Sequence, residues 1–416
     1  MSQIATPAHL GQTPAAGDAR GAPIADDDRL EVVLGEIAAG AAERDRERGH
    51  PFAAIDVVRR ARLGAVRLPV ADGGAGYSFP ELFRLVVRLA EADPNVAQIL
   101  RAHYSFVEQR LISPDRAAGA RWLGLVADGA ILGNATTELG PRNVGFGRAA
   151  DPATAVRREG DRLLLRGTKY YCTGTLYADW VSVLAAGPDG APGSVVVPVD
   201  REGVTVEDDW DGFGQRLTGT GTTRFDDVVV AEDELLRVDP ANGPYLQGAF
   251  LQLYLTATIV GIVRNVARDA TDLVRSRSRT FTHAPTAEAV TDPLLQRTVG
   301  EIASQAYAAE VTVGAAAEAL GRAVDSVVGG VGDPDLAHEA SLRVAQAKVV
   351  IDALGVRVAG ELFDVGGASA TARGAGLDRH WRNIRTLASH NPASYKALAI
   401  GDLLINGTRL PDNGFF

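Results

Sequence analysis

The chain has 416 residues, is 46% hydrophobic, and carries a formal net charge of −10 with a sequence pI near 5.3. This length allows a large core and, as a prior, two or three domains. The acidic balance, without a basic stripe of interleaved aromatics, argues against nucleic-acid binding. No apolar run is long enough to cross a bilayer, and the single cysteine excludes an internal disulfide framework, so we expect a cytoplasmic protein.

The N-terminal quarter of the chain is predicted to be helical after a disordered leader. Residues 1–27 are rich in Ala, Gly, Pro and Asp and lack the basic start and apolar segment of a signal peptide. Residues 28–125 then carry apolar side chains at helical spacing. Ser78 and Glu81 have the spacing of a capping box, and the Asp-Pro pair at 93–94 predicts another helix start.

The remainder of the chain divides into a strand-rich part and a second helical part. Residues 126–236 contain short apolar runs separated by Gly, Pro and Asp, which indicates an antiparallel sheet system. Residues 237–416 return to long helices, broken near 329–330 and 366–367. Helices, strands and helices in this order predict an α+β fold rather than βαβ alternation. Phosphate-loop, dinucleotide-loop and zinc-protease motifs are absent from the sequence, and the seven histidines lack metal-ligand spacing.

One histidine precedes the last predicted helix, in a run that reads Ser-His-Asn-Pro. Pro392 suits the first helical position and Asn391 suits the N-cap before it. His390 would then face the positive end of a helix, which disfavours imidazolium and leaves a neutral ring able to accept or share a proton. The alternative is an ordinary helix-terminus residue bonded to backbone.

Several segments carry a resemblance to a known family: residues 68–76, 167–174, 208–230 and 378–383. They resemble the acyl-CoA dehydrogenase fold, and within it the flavin-dependent monooxygenase branch that includes dibenzothiophene and methanesulfinate monooxygenases. The blocks at 208–225 and 378–383 are similar to the sulfur-acquisition members of that branch. The resemblance covers nearly the whole chain after residue 28.

The resemblance implies an N-terminal helical domain, a central β-barrel and a C-terminal four-helix bundle, assembled as a homotetramer. It implies a two-component enzyme that uses reduced FMN from a separate NAD(P)H-dependent flavin reductase. With O₂ as co-substrate, a C4a-(hydro)peroxyflavin would oxygenate a small organosulfur compound, either an alkanesulfinate or a sulfone. Two alternatives stay open: an FAD-dependent acyl-CoA dehydrogenase, although the run at 389–392 lacks the glutamate base common near the last helices, and a catalytically silent flavin-fold scaffold.

The resemblance also implies particular site residues. It assigns catalytic roles to His390, His103, Thr173 and Asn134. It assigns flavin contacts to Asn134, Thr136, Thr137, Thr173, Trp210 and Arg279. Each has an ordinary reading as well: a core histidine for His103, barrel filling for Trp210, surface solvation for Arg279. Ser369 and Leu387 depart from the family pattern, where relatives tend to carry arginine and histidine.

Overall fold

The computed structural model describes residues 27–139, 152–237, 244–280, 282–411 and 416. The N-terminal helices are α1 Asp27–Ala38, α2 Ala41–Glu47, α3 Phe52–Arg60, α4 Phe79–Ala92, α5 Pro94–Leu111 and α6 Arg116–Ala127. The predicted leader lies outside the described residues except for Asp27, which already belongs to α1.

Both predicted helix starts in this region are confirmed. Ser78 and Glu81 form a capping box at the start of α4, with Ser78 N–H donating to Glu81 Oε2 at 2.7 Å. The Asp93 carboxylate accepts from Asn95 N–H at 2.9 Å and begins α5. These side chains satisfy N–H groups that have no partner inside the helix. They fix the start of α5, which lies against the candidate site.

The central sheet has the strands β1 Leu132–Ala135, β2 Ala155–Glu159, β3 Arg162–Cys172, β4 Trp180–Ala186, β5 Pro192–Pro198, β6 Val204–Val206, β7 Gly221–Val230 and β8 Leu235–Arg237. Their order is β6-β7-β3-β2-β4-β5-β8, with β1 paired to β4. The predicted antiparallel pairing is found for most strand pairs. The exceptions are β1, which pairs with β4 in parallel, and β2, which meets β4 in parallel at one residue pair. The antiparallel pair β2–β3 stands between β1 and β4 in the chain, so β4 returns in the direction of β1.

The C-terminal helices are α7 Pro244–Ser276, α8 Pro293–Asp325, α9 Pro334–Gly366, α10 Asp378–Ala388 and α11 Ala393–Asn406. The two helix breaks predicted from glycine pairs are confirmed by the ends of α8 and α9. The segment Leu246–Ser276 of α7 is long and apolar enough to cross a membrane, which the sequence analysis did not count, but 89% of its most apolar window is buried inside the protein. We therefore assign α7 as the central helix of the core.

One apolar core joins the N-terminal helices to α7, α8 and α9, and a second fills the sheet. The predicted α+β order of helices, sheet and helices is confirmed. The helices of the first core place α5 next to β1, and they place α10 and α11 against α9.

A loop between β6 and β7, residues 207–220, connects these parts, and we call it the junction loop. Gln215 N–H donates to the side-chain oxygen of Asn383 in α10 at 2.6 Å. Leu217 N–H donates to the side-chain oxygen of Asn95 in α5 at 3.2 Å. Both acceptors are buried, so the loop position is set from two helices.

Candidate active site

Four of the predicted flavin contacts lie on adjoining segments at one end of the sheet: Asn134, Thr136, Thr137 and Thr173. All four are half-buried. The Thr175 hydroxyl donates to the Asn134 carbonyl at 2.9 Å, and Tyr170 N–H donates to the Thr137 carbonyl at 2.8 Å. The segments that follow β1 and β3 are thereby held side by side, and their hydroxyl and amide groups can address one ligand.

The Thr173 hydroxyl is the first in a chain of three hydrogen-bonded threonine hydroxyl groups. Its Oγ1 lies 2.9 Å from Thr220 Oγ1, which lies 2.7 Å from Thr218 Oγ1. The Thr218 hydroxyl donates to the Gln215 carbonyl at 2.8 Å. Backbone groups reinforce the contact, since Gly174 N–H donates to the Thr218 carbonyl at 2.9 Å. The sequence analysis quoted the block that contains Thr218 and Thr220 but gave them no role.

Two glycines permit this close approach. Gly174 has φ +82°, and a Cβ added there would lie 2.5 Å from the Ile99 carbonyl oxygen of α5. Gly219 has φ +57°, and a Cβ there would lie 2.6 Å from Leu176 Cβ. Only glycine combines this backbone conformation with such contacts at low cost. The pair therefore seats Thr173 between α5 and the junction loop.

A buried ion pair supports the same end of the sheet. Lys169 is fully buried, and its Nζ lies 2.7 Å from Glu138 Oε1 and 3.3 Å from the Thr136 carbonyl. Burial alone would raise the pKa of Glu138, but hydrogen bonds from Lys169 and from the Thr154 and Ala153 backbone lower it to about 2. The carboxylate stays ionised and the segment after β1 stays fixed.

Trp210 is connected to the Thr173 segment through Tyr171, which lies two residues before Thr173. Its indole N–H donates to the Gly214 carbonyl at 3.3 Å, and its ring meets Tyr171 edge-on with 6.3 Å between centroids. Trp210 is half-buried, so the ring is not a full part of the sheet core. Its position allows the predicted contact at the site and leaves part of the ring open to a ligand.

His390 lies in the turn between α10 and α11 and lines a cavity of about 1000 Å³. The predicted cap is wrong by one residue, because Pro392 takes the N-cap position and Asn391 precedes it. His390 N–H donates to the Leu387 carbonyl, which closes the end of α10. The ring is therefore not set at the first turn of α11, and a helix N-terminus does not account for its neutral state.

Other neighbours keep this imidazole neutral. Burial, then the positive charges of Arg101 and Lys348, lower the pKa of His390 below its usual value. The residue is nevertheless exposed in the single chain. The direction of the shift agrees with the expected neutral ring, although its cause differs from the expected one.

A buried charged cluster, Lys348, Asp352 and Lys396, lies near His390 and was missed by sequence reasoning. Lys348 Nζ pairs with Asp352 Oδ2 at 2.8 Å, and Lys396 lines the same cavity as His390. Burial and the charge of Lys348 lower the pKa of Lys396 to about 7, against the opposing effect of Asp352. The available signal was a Lys and an Asp four residues apart within the apolar stretch of α9.

His103 is fully buried in α5, and both of its ring nitrogens are engaged by backbone. Nε2 lies 2.9 Å from the Gly64 carbonyl, and Nδ1 accepts from Leu132 N–H at 3.2 Å. Burial lowers the pKa of His103 to about 4, and the Gly64 contact only partly offsets this. The geometry is that of a neutral core histidine that positions β1, which is the ordinary reading left open from the sequence.

Arg279 follows α7 and is exposed. Within the described part of one chain, it does not lie together with the other predicted site residues. Its carbonyl accepts from Arg277 Nε at 3.0 Å.

Two positions depart from the family pattern. Ser369 is exposed and donates to the Gly366 carbonyl at 3.1 Å, whereas Leu387 is buried in the core. A histidine at 387 would replace apolar core contacts rather than line the cavity.

Comparisons with known proteins identify the family. The family model for the acyl-CoA dehydrogenase middle domain matches residues 135–228, and that for the C-terminal domain matches residues 253–395. A dibenzothiophene monooxygenase from Mycolicibacterium goodii is 30% identical over 392 residues, 90% of this chain and 91% of that protein. The probable FMNH2-dependent monooxygenase SfnC of Pseudomonas putida is 28% identical over 91% of this chain and 94% of that protein.

A solved structure agrees with these matches. Methanesulfinate monooxygenase MsuC from Pseudomonas fluorescens superposes with a TM-score of 0.83 at 28% identity, covering 94% of this chain and 99% of that one. Sequence and fold thus agree over nearly the full length of both chains. The chain belongs to the flavin-dependent monooxygenase branch of the acyl-CoA dehydrogenase family.

Proposed function

We propose that the chain is the oxygenase of a two-component system that uses reduced FMN and O₂ to oxygenate a small organosulfur compound. A separate NAD(P)H-dependent flavin reductase in the cytoplasm would supply the reduced FMN. The observation that carries the proposal is His390, a neutral imidazole on a cavity wall at the place where dehydrogenases of this fold commonly use a glutamate. A neutral imidazole can accept a proton at one ring nitrogen and donate a hydrogen bond from the other.

The residues present fit a flavin ring. Among the described residues, Gln98 Oε1 and both amide atoms of Gln215 are buried without a hydrogen-bond partner. Gln98 precedes Ile99, which contacts Gly174, and Gln215 ends the hydroxyl chain of Thr173. Unpaired buried amides are costly, and a ring system with several donors and acceptors on its edge would satisfy them. The side chains of Asn134, Thr136, Thr137 and Trp210 would complete the flavin site.

Reduced FMN would supply the electrons that activate O₂. Asn134 and Thr173 would orient the ring and the reacting oxygen through their amide and hydroxyl groups. His390 would hold or deliver a proton through one of its imidazole nitrogens. Such proton transfer typically raises the rate about 10²–10⁴-fold. The surrounding apolar core would exclude water from the reacting groups.

The substrate we propose is an alkanesulfinate, with a sulfone as the alternative. The similarity to methanesulfinate monooxygenase MsuC and to a dibenzothiophene monooxygenase supports an organosulfur substrate. Lys396 adds an independent reason, because it lines the same cavity and the protonated form of its amine, whose pKa is lowered to about 7, would complement the negative charge of a sulfinate. A neutral sulfone could accept a hydrogen bond from this group but would lack the attraction between opposite charges.

We also propose a homotetramer. Large apolar side chains are exposed on α8 and α11, including Tyr307, Val311 and Leu404. Exposed apolar faces of this kind support burial against further copies of the chain. In such an assembly Arg279 would reach the phosphate of a flavin in a neighbouring subunit, for which a guanidinium is well suited.

Stopped-flow mixing of the protein and anaerobically reduced FMN with oxygenated buffer tests the proposal. We expect a transient absorbing species that precedes oxidised FMN, and oxygenated product when methanesulfinate or dimethyl sulfone is present. Direct return to oxidised FMN at the rate of free flavin, with no product, would contradict it. Tightly held FAD that is reduced on addition of an acyl-CoA would support the dehydrogenase alternative, and failure to bind any flavin would support the scaffold.

A further inference from the structure

The hydroxyl chain behind Thr173 has a fixed direction. Each threonine hydroxyl has one proton to donate and lone pairs with which to accept. The chain ends at the Gln215 carbonyl, which can only accept, so the Thr218 proton points to Gln215. With that proton used, Thr218 must accept from Thr220 across 2.7 Å.

The same reasoning fixes the proton of Thr173. Thr220 already donates its hydroxyl proton to Thr218, so it must accept from Thr173 across 2.9 Å. The Thr173 proton therefore points into the protein, and its oxygen can offer only lone pairs to a ligand. Full burial of Thr218 keeps water from competing for the hydrogen bonds at the inner end of the chain.

A hydroxyl that can only accept distinguishes the two redox states of a flavin. Ring nitrogen N5 of oxidised isoalloxazine has a lone pair and no proton, whereas the reduced ring has an N5–H that donates. An acceptor facing this position gains a hydrogen bond to the reduced ring and faces a second acceptor in the oxidised ring. The discrimination between the two redox states is effective because a buried polar group that is left without a partner costs free energy.

We propose that the Thr173 hydroxyl faces N5 of the bound flavin, and that Thr218 and Thr220 are positioning residues that hold it as a hydrogen-bond acceptor and thereby make the site prefer reduced FMN over oxidised FMN. This inference rests on the proposed function. It explains how a protein that does not reduce its own flavin takes up the reduced form from the reductase and releases the oxidised form. Thr218 and Thr220 act through Thr173 and need not touch the flavin.

The measurement is the ratio of the dissociation constants of oxidised and reduced FMN, obtained by anaerobic titration and checked by the midpoint potential of the bound flavin. Removal of one neutral hydrogen bond changes such a ratio about tenfold. For a two-electron couple, that change corresponds to about 30 mV. Thr220→Val should lower the ratio about tenfold, because the Thr173 hydroxyl loses its internal acceptor and can rotate to donate to oxidised FMN.

Matched variants separate the effect of the direction of the hydroxyl hydrogen bonds from an effect of side-chain packing. Thr173→Val should lower the ratio as well, and Thr218→Val should do so by a smaller factor because Thr220 can still accept from Thr173. Thr220→Ser and Thr218→Ser should keep the wild-type ratio, since serine retains the hydroxyl. Thr205→Val, on the exposed face of β6, is the control for a threonine-to-valine change outside the chain.

A flavin analogue tests the same point without changing the protein. Reduced 5-deaza-FMN has a CH₂ group in place of N5–H, so the wild-type preference for the reduced form should fall about tenfold with this analogue. An unchanged ratio in Thr220→Val, or an unchanged preference with 5-deaza-FMN, overturns the inference while leaving FMN binding intact. Failure of the wild-type protein to bind reduced FMN would instead overturn the proposed function.

Discussion

Asn383 and Gln215 connect α10 to the end of the sheet that carries Thr173. The side-chain oxygen of Asn383 accepts from Gln215 N–H at 2.6 Å, and both residues are buried. Gln215 has φ +50°, a conformation that non-glycine residues rarely adopt. The hydrogen bond holds this conformation, and the Gln215 carbonyl in turn receives the Thr218 hydroxyl.

Asn383→Leu keeps the side-chain size but removes the acceptor, so Gln215 N–H would be buried without a partner. We expect the free energy of unfolding to fall by about 1–3 kcal/mol and the affinity for FMN to weaken, because the junction loop loses its anchor. Denaturant unfolding and flavin titration measure the two effects. Asn406→Ala, at an exposed position in α11, should change stability by less than about 0.5 kcal/mol. Equal effects of the two variants would show that the anchor is unimportant.

His390→Ala should lower the rate of coupled product formation by about 10²–10⁴-fold while reduced FMN still binds. Oxygen consumption should then appear as hydrogen peroxide rather than product. Burial, Arg101 and Lys348 lower the pKa of His390, so the acid limb due to this residue should lie below about pH 6.5, the usual value for histidine. Product yield per FMNH2, measured against pH, checks both expectations. An unchanged yield in the variant would exclude His390 from the chemistry.

Much of this architecture is present in local sequence patterns. The capping box at Ser78 and the Asp-Pro start of α5 were predicted because each depends on residues within one turn of helix. The cap at Asn391 was misplaced by one residue, because the turn that ends α10 fixes the chain before α11 begins.

The candidate site was less predictable, because its contacts are non-local. The family pattern supplied Asn134 and Thr173, but the partner of Thr173 lies 47 positions along the chain. The surroundings of His103 depend on Gly64 and Leu132, which no helical periodicity can indicate. A core histidine and a catalytic histidine occupy the same kind of apolar stripe, so only the three-dimensional contacts separate them.

The burial of His103 predicts a pH dependence of stability. Its pKa is lowered from 6.5 to about 4 in the folded chain, so the unfolded chain binds more protons between these values. This contribution to stability is present above pH 6.5 and is lost as the pH falls toward 4, by about 3 kcal/mol in total. His103→Phe leaves two backbone groups unpaired and should be less stable at pH 7, but its deficit relative to wild type should shrink toward pH 4. A deficit that stays constant from pH 7 to 4 would contradict this assignment.

The pair of Lys348 and Asp352 predicts a large penalty for removing one partner. Both residues are buried, and Lys348→Met would leave the Asp352 carboxylate without its cation. We expect a loss of about 3–5 kcal/mol in the free energy of unfolding, measured by denaturant titration. The double variant Lys348→Met/Asp352→Leu should recover part of this loss, because the Asp352 carboxylate is removed as well, while the buried Lys396 amine loses the anion that supports its charge.

Arg357 and Glu361, also four residues apart on α9 but with the arginine exposed, are the matched control. Arg357→Met should cost no more than about 1 kcal/mol, because water already solvates that pair. A similar small cost for Lys348→Met would mean that water reaches the cluster from the cavity that His390 lines. The sulfinate would then bind in a wetter site, where the charge of Lys396 attracts it less strongly.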